Sequence, residues 1–316
     1  MDPQAAEGGI RSPSDDTRRR GVAGLAALVT GGGSGIGFGA AARLVRDGAH
    51  VTICGRTEER LQAAVAKLET QATEAAVSRG EGVGATATAE RSPVEGSVMP
   101  GRIRYVVADV TIEEDVERAV ATSLERDRLD VLFANAGGSM HMGPITEADV
   151  AQVRATIDLN LVGTFLCIKH AAPHMAAGVG RHVDGGTAPG GSIVGMSSGA
   201  GHFPHRYLWA YGSAKAGIDM LCRYAAEELG SSGVRVNTVR PGIIDDELMA
   251  PITAGGPLLE DYLSETPLGR VGAVDDVADA VRFLAGPESA WITGECLAVD
   301  GGHHLRRGAN YSLLFG

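Results

Sequence analysis

The sequence predicts an α/β protein built on a parallel sheet with helices on both faces, and three observations carry that reading. Short apolar runs alternate with longer amphipathic segments along most of the chain. A glycine-rich turn, Thr30-Gly31-Gly32-Gly33-Ser34-Gly35-Ile36-Gly37, follows the first apolar run and opens the first amphipathic one. Small residues dominate, with 45 glycines and only 4% aromatics, which suits close packing of helices on a sheet.

The elements follow in order. Leu25–Val29 reads as a buried strand, and Gly35–Val45 as a helix closed by Gly48. Val51–Cys54 is the next strand and Thr57–Glu69 the next helix. Ile103–Val107, Val131–Ala134, Ser192–Met196, Val234–Val239 and Leu297–Val299 continue the strand series. Helices are expected at Ile112–Arg126, Thr146–Met175, Tyr207–Leu229 and Asp275–Leu284. Strand–helix–strand units with right-handed crossovers lay such strands side by side and parallel.

Residues 1–22 are polar, with an Arg18-Arg19-Arg20 run, and are expected to be a disordered tail. One domain then spans 23–302, and 303–316 form a second tail. Three stretches interrupt the domain. Residues 70–101, rich in Ala, Gly, Ser, Thr and Glu, read as a flexible surface insertion. Gly178–Gly191 is a glycine-rich loop. Residues 242–270, with Pro251, Pro257 and Pro267, read as a lid over the substrate, because ligands of open α/β sheets bind beyond the strand C-termini.

The formal net charge of -11 and a pI of about 5.3 argue against nucleic acid or an anionic membrane as partner. Cys54, Cys167, Cys222 and Cys296 form no CxxC and read as small apolar groups in a reducing cytoplasm. No apolar run is long enough to span a bilayer, and no cleavable signal is visible. His170 and His174 are four apart but separated by Pro173, and neither HExxH nor a zinc spacing is present, so no metal is expected.

The glycine turn lets backbone approach a pyrophosphate at a helix N-terminus. After the second strand the chain reads Cys54-Gly55-Arg56, with no carboxylate for a ribose 2′-hydroxyl. A guanidinium there suits a 2′-phosphate, so NADP(H) is favoured and NAD(H) remains open. Further along, Tyr211 and Lys215 lie four apart on a helical pattern and share a face. The lysine is expected to lower the phenol's pKa and fit it for proton exchange with an alcohol or carbonyl oxygen.

Together these residues resemble the short-chain dehydrogenase/reductase family from about Leu25 to Gly302. Thr30-Gly31-x-x-x-Gly35-x-Gly37 is similar to its cofactor turn, Asp109-Val110 to its adenine-contacting pair, and Asn135-Ala136-Gly137 to its Asn-Ala-Gly motif. Asn160 sits at its active-site asparagine, Ser198 at its catalytic serine thirteen residues before Tyr211, and Pro241-Gly242 at the turn bordering the nicotinamide.

The resemblance implies a single doubly wound Rossmann-type domain with about seven parallel strands. It also implies a homotetramer or homodimer formed through the long helices. Its catalytic residues would be Ser198, Tyr211, Lys215 and Asn160, the last anchoring a water that links Lys215 to solvent. Cofactor contacts would come from Gly31, Gly33, Ser34, Gly35, Ile36, Gly37, Arg56, Asp109, Val110, Asn135, Ala136, Gly137, Tyr211, Lys215, Pro241, Gly242 and Ile244. The chain departs from the family where a threonine commonly meets the nicotinamide carboxamide; here the stretch is Ile243-Ile244-Asp245-Asp246.

The implied activity is hydride transfer between NADP(H) and a secondary alcohol or ketone. A catalytically silent dinucleotide sensor and an enoyl reductase are the alternatives. Met140, Met142, Leu248, Met249, Leu258, Leu259 and Tyr262 hint at an apolar substrate pocket or at simple packing of the lid. His141 and His202 either line that pocket or sit exposed in loops.

Overall fold

The structure is a computed structural model that describes residues 21–78, 101–176, 182–183, 186–187, 190–308 and 311–314. Its main sheet has seven strands: β1 (Ala26–Thr30), β2 (His50–Gly55), β3 (Ile103–Val107), β4 (Val131–Ala134), β5 (Ser192–Met196), β6 (Arg235–Pro241) and β7 (Cys296–Val299). All neighbours pair in parallel, in the order β3-β2-β1-β4-β5-β6-β7. The order reverses between β1 and β4, which opens a crevice at the strand C-termini.

Every residue of β1, β4 and β5 is buried, as expected of central parallel strands covered on both sides. The helices are α1 (Gly35–Arg46), α2 (Glu58–Ser78), α3 (Glu113–Ser123), α4 (Val150–Ile157), α5 (Gly163–Ala171), α6 (Trp209–Gly230), α7 (Ala250–Thr253), α8 (Pro257–Ser264) and α9 (Val274–Ala285). One core joins Leu44 of α1, Leu61 of α2 and Val281 of α9 to Val29 and Phe133. A second, on the opposite face, joins Val120 of α3, Leu166 of α5 and Ile218 of α6 to Leu28 and Leu132. The alternation along β1 and β4 divides their side chains between the two cores.

The expected doubly wound fold is therefore present, with local corrections. The helix expected over Thr146–Met175 is a chain of pieces: a 3-10 turn at Ile145–Glu147, α4, a π turn at Asp158–Val162, α5, and a 3-10 turn at Ala172–His174 around Pro173. Asp149 starts α4 by accepting the amide of Ala151 at 2.9 Å. Helix α2 runs to Ser78, well into the stretch expected as an insertion; residues 79–100 lie outside the described residues.

Residues 1–20 of the expected N-terminal tail also lie outside the described residues, but Val22 is fully buried in the first core. The second expected tail folds back onto the domain, with His303 and Tyr311 buried. In the glycine-rich loop, His182–Val183 pairs antiparallel with Gly186–Thr187. The expected lid carries α7 and α8, and Ile244–Asp245 at its start pairs with Gly272–Ala273 beyond its end. No helix among the described residues is long and apolar enough to cross a membrane.

Candidate active site

A cavity of about 780 Å³ runs along the C-terminal edge of the sheet from α2 to the lid. Its first third is the glycine turn. Gly31 and Gly35 have φ of +65° and +52°, left-handed values that suit glycine. A Cβ on Gly37 would stand 2.3 Å from the Gly31 carbonyl oxygen, so the turn and α1 close on each other only without a side chain. Ser34, the N-cap of α1, uses no side-chain oxygen on the helix, and the first turn holds no acid. The α1 amide groups are thus suited to receive an anion such as a pyrophosphate.

Asn135 and Ala136, at the end of β4, donate their amides to the Thr30 hydroxyl, each at 3.0 Å, and the Asn135 side chain donates to the Thr30 carbonyl at 2.9 Å. These bonds lock the two strands that flank the switch point. Arg56 and Arg60 are exposed at the far end of the cavity, beside Asp109 and Val110. The Asp109 carboxylate accepts the Thr111 amide at 2.9 Å and its hydroxyl at 2.8 Å. Among the expected cofactor residues, all but Gly37 line the cavity.

At the other end, Ser198, Tyr211 and Lys215 meet. Ser198 leaves the end of β5, accepts the Ala200 amide at 3.2 Å and hydrogen-bonds the Tyr211 phenol. Ser197 is turned away, its hydroxyl 3.5 Å from the Lys215 carbonyl oxygen. Lys215 is 1% exposed; its Nζ donates to the Met196 carbonyl at 2.7 Å and lies 5.3 Å from the centre of the Tyr211 ring.

Burial lowers the Lys215 pKa to about 7, against the upward pull of Asp219 one turn along α6. Asp219 is itself held by the Thr238 hydroxyl at 2.8 Å and the Arg240 guanidinium at 3.2 Å. Tyr211 lines the cavity and is partly buried, and this burial pushes its phenol up to about 12, opposed by the Ser198 hydrogen bond. This corrects the expectation that the lysine lowers it. Desolvation of the phenolate outweighs the Ser198 hydrogen bond, and Tyr311 and Asp246 add an upward push.

Asn160 is fully buried in the π turn and does not reach the cavity. Its Nδ2 donates to the carbonyls of Gly138 and Thr156, both at 2.7 Å, and its Oδ1 accepts the Gly138 amide at 3.3 Å. A Cβ on Gly137 would lie 2.6 Å from that Oδ1 and 3.0 Å from the Lys215 Nζ. The π turn thus aims Asn160 at the loop after β4, where it clamps backbone close to the lysine.

Several lining residues escaped the sequence reading. Arg60 stands one turn after Arg56, a basic spacing that was legible. Asp246 holds the Met249 amide at 2.9 Å and places its other oxygen 2.8 Å from where a Gly35 Cβ would be, so a carboxylate shares the helix end that would receive a pyrophosphate. His205, His303 and Tyr311 line the inner end. Neither His141 nor His202 does; His141 packs edge-on against Trp209 at 5.7 Å, and His202 is exposed. Met140, Met142, Leu248, Met249 and Tyr262 line the cavity, whereas Leu258 and Leu259 pack behind it.

Known proteins resemble this chain in sequence and fold. The family model described as enoyl-(acyl carrier protein) reductase matches residues 83–304, and the short chain dehydrogenase model matches residues 25–91. The trans-4-hydroxycyclohexanecarboxylate dehydrogenase of Sinomonas cyclohexanicum is 34% identical over 89% of this chain and 93% of its own length. A short-chain type dehydrogenase/reductase from Mycobacterium ulcerans superposes with a TM-score of 0.77 at 41% identity, covering 92% of this chain and 94% of that one. A short chain dehydrogenase from Burkholderia cenocepacia J2315, solved in complex with NADP, gives 0.71 at 29% identity over 89% of this chain and 98% of that one.

Proposed function

The chain belongs to the short-chain dehydrogenase/reductase family, and from that premise we propose that it interconverts an alicyclic secondary alcohol and its ketone with NADP(H). One observation carries the reading: serine hydroxyl, tyrosine phenol and lysine ammonium meet at the inner end of a cavity whose outer end is a glycine-lined helix N-terminus. The nicotinamide, when bound, supplies the carbon that gives or takes the hydride. Tyr211 gives a proton to the carbonyl oxygen in reduction and takes it from the alcohol in oxidation. The phenol carries its proton at neutral pH and can give it up in reduction. Ser198 donates to the same oxygen where negative charge develops. Lys215 places a cation beside the phenol, and Asn160 is a positioning residue that fixes the backbone against which the lysine rests.

The apolar wall of Met140, Met142 and Met249 and the ring alcohol named for the Sinomonas relative support this substrate class. Arg56 and Arg60, two guanidinium groups at the outer end, support NADP(H) over NAD(H). The Tyr-x-x-x-Lys spacing supports C=O rather than C=C chemistry. Exposed Val150, Phe165, Met220 and Tyr224 on α4, α5 and α6 support a homodimer or homotetramer built on those helices. Buried free thiols at Cys54, Cys167 and Cys222 suit the reducing cytoplasm.

The test follows nicotinamide absorbance with NADPH or NADH and a panel of cyclic ketones. Tyr211→Phe should lower kcat by about 10²–10⁴ while leaving dinucleotide affinity within about threefold. Unchanged turnover in that variant would refute the assignment.

A further inference from the structure

The inner wall of the cavity is made of residues that the proton and hydride steps do not use. The chain after β7 turns back over the lid: Arg307 pairs with Asp261 and, at 3.2 Å, with Glu265, beside the end of α8. Gly308 lies so close to Pro204 that a Cβ there would meet the Pro204 carbonyl oxygen at 2.1 Å. This path delivers Tyr311 into the cavity, 4% exposed, with its hydroxyl 2.8 Å from that of Tyr262. The bond between the two phenols uses one of their two protons and leaves the other to donate.

His205 packs against both tyrosine rings, at 6.0 and 6.1 Å between centres. Its Nδ1 is 3.2 Å from the Phe203 carbonyl oxygen. A carbonyl can only accept, so Nδ1 carries the proton and Nε2 carries a lone pair. Burial lowers its pKa to about 4, and the ring is neutral at pH 7. The wall therefore holds one uncharged donor and one uncharged acceptor, set in apolar surroundings. The carboxylate that acts on His205 and Tyr262 is Asp261, which pairs with Arg307, while Asp246 acts on the Tyr211 phenol nearer the glycine turn. Among the described lining residues Arg56 and Arg60 stand at the opposite end, and the Lys215 Nζ is bonded to Met196.

We propose that Tyr262, Tyr311 and His205 form a distal subsite for a second hydroxyl group, so that the substrate is an uncharged cyclic diol or hydroxyketone. This rests on the alcohol–carbonyl reading above. A hydroxyl accepts from the tyrosine pair and donates to His205. A carboxylate has no proton for His205 and finds no arginine or unbonded lysine among the described residues that line this end. The subsite thus favours an uncharged ring alcohol over the hydroxycyclohexanecarboxylate named for the Sinomonas relative.

The experiment compares kcat/KM for cyclohexane-1,4-diol, cyclohexanol and 4-hydroxycyclohexanecarboxylate, using the full chain with NADP⁺. The diol should exceed cyclohexanol by about tenfold, the worth of one or two neutral hydrogen bonds, and the carboxylate should fall below cyclohexanol. Tyr311→Phe should bring the ratio of kcat/KM for the diol to that for cyclohexanol down to about one. Tyr262→Phe gives the same readout if the Tyr311 variant does not fold. A carboxylate turned over as well as the diol overturns the subsite, as does a tyrosine variant that slows diol and cyclohexanol equally. Turnover of none of the three with either dinucleotide overturns the alcohol–carbonyl reading itself, and the subsite with it.

Discussion

Lys215→Met should make the folded protein more stable at pH 6 and less stable at pH 10. The side chain is 1% exposed, and burial lowers its pKa from 10.5 to about 7. In the unfolded chain the amine keeps its ordinary value. Between the two values the unfolded chain binds more protons, so stability rises with pH through that window. Below pH 7 the folded protein carries the whole cost of a buried ammonium, ~5 kcal/mol; above pH 10.5 it carries none.

Removing the amine also strips the Met196 carbonyl of its partner at 2.7 Å, which costs ~1–3 kcal/mol at every pH. The difference is a variant more stable by ~2–4 kcal/mol at pH 6 and less stable by ~1–3 kcal/mol beyond pH 10, with the sign changing at about pH 9. Urea unfolding of both proteins without dinucleotide, at four pH values from 6 to 10, measures this directly. Turnover of the variant should fall about 100-fold over the same range. A variant less stable than the parent at pH 6, or a stability difference that does not change sign, would show that the lysine is not held against its own desolvation.

Three further outcomes follow from the geometry. Gly37→Ala should lose ~1–3 kcal/mol of stability and bind dinucleotide at least about tenfold more weakly, because the new methyl meets backbone at 2.3 Å. Gly230→Ala, with nothing within 4 Å, should be neutral in the same denaturation and titration, and equal effects at the two sites would discredit the turn argument. The Arg56→Ala, Arg60→Ala double variant should lose about 10–100-fold in kcat/KM with NADPH and less than about threefold with NADH; equal losses would remove the 2′-phosphate assignment. Light scattering should give a dimer or tetramer that Phe165→Glu with Tyr224→Glu converts to monomer, and a monomeric parent protein would end the interface reading.

Local patterns were legible where one stretch of chain makes a feature by itself. The strand runs, the glycine turn and the four-residue spacing of Tyr211 and Lys215 depend on neighbours along the backbone, and period and left-handed φ are written in residue types. Ser198 was legible through the family resemblance, which places a serine thirteen residues before Tyr211. Three features were not. The break in the Thr146–Met175 helix at Asn160 goes with that side chain bonding Gly138 in the loop after β4, and helical periodicity continues straight through it. The phenol's pKa was misjudged because spacing reports a nearby lysine but says nothing of how much protein surrounds both groups. Tyr311 sits in a stretch with no motif, and only the path of the chain past Pro204 and α8 brings it beside Tyr262.

The amino-acid order therefore foretold the architecture through hydrophobic period and turn chemistry, which act over a few residues of backbone, and its family resemblance named the groups proposed to react. Tertiary structure decided the electrostatics and the inner wall. Desolvation sums over every atom packed around Tyr211 and Lys215, and the His205–Tyr262–Tyr311 cluster joins residues up to 106 positions apart that share a surface only after the tail has folded back.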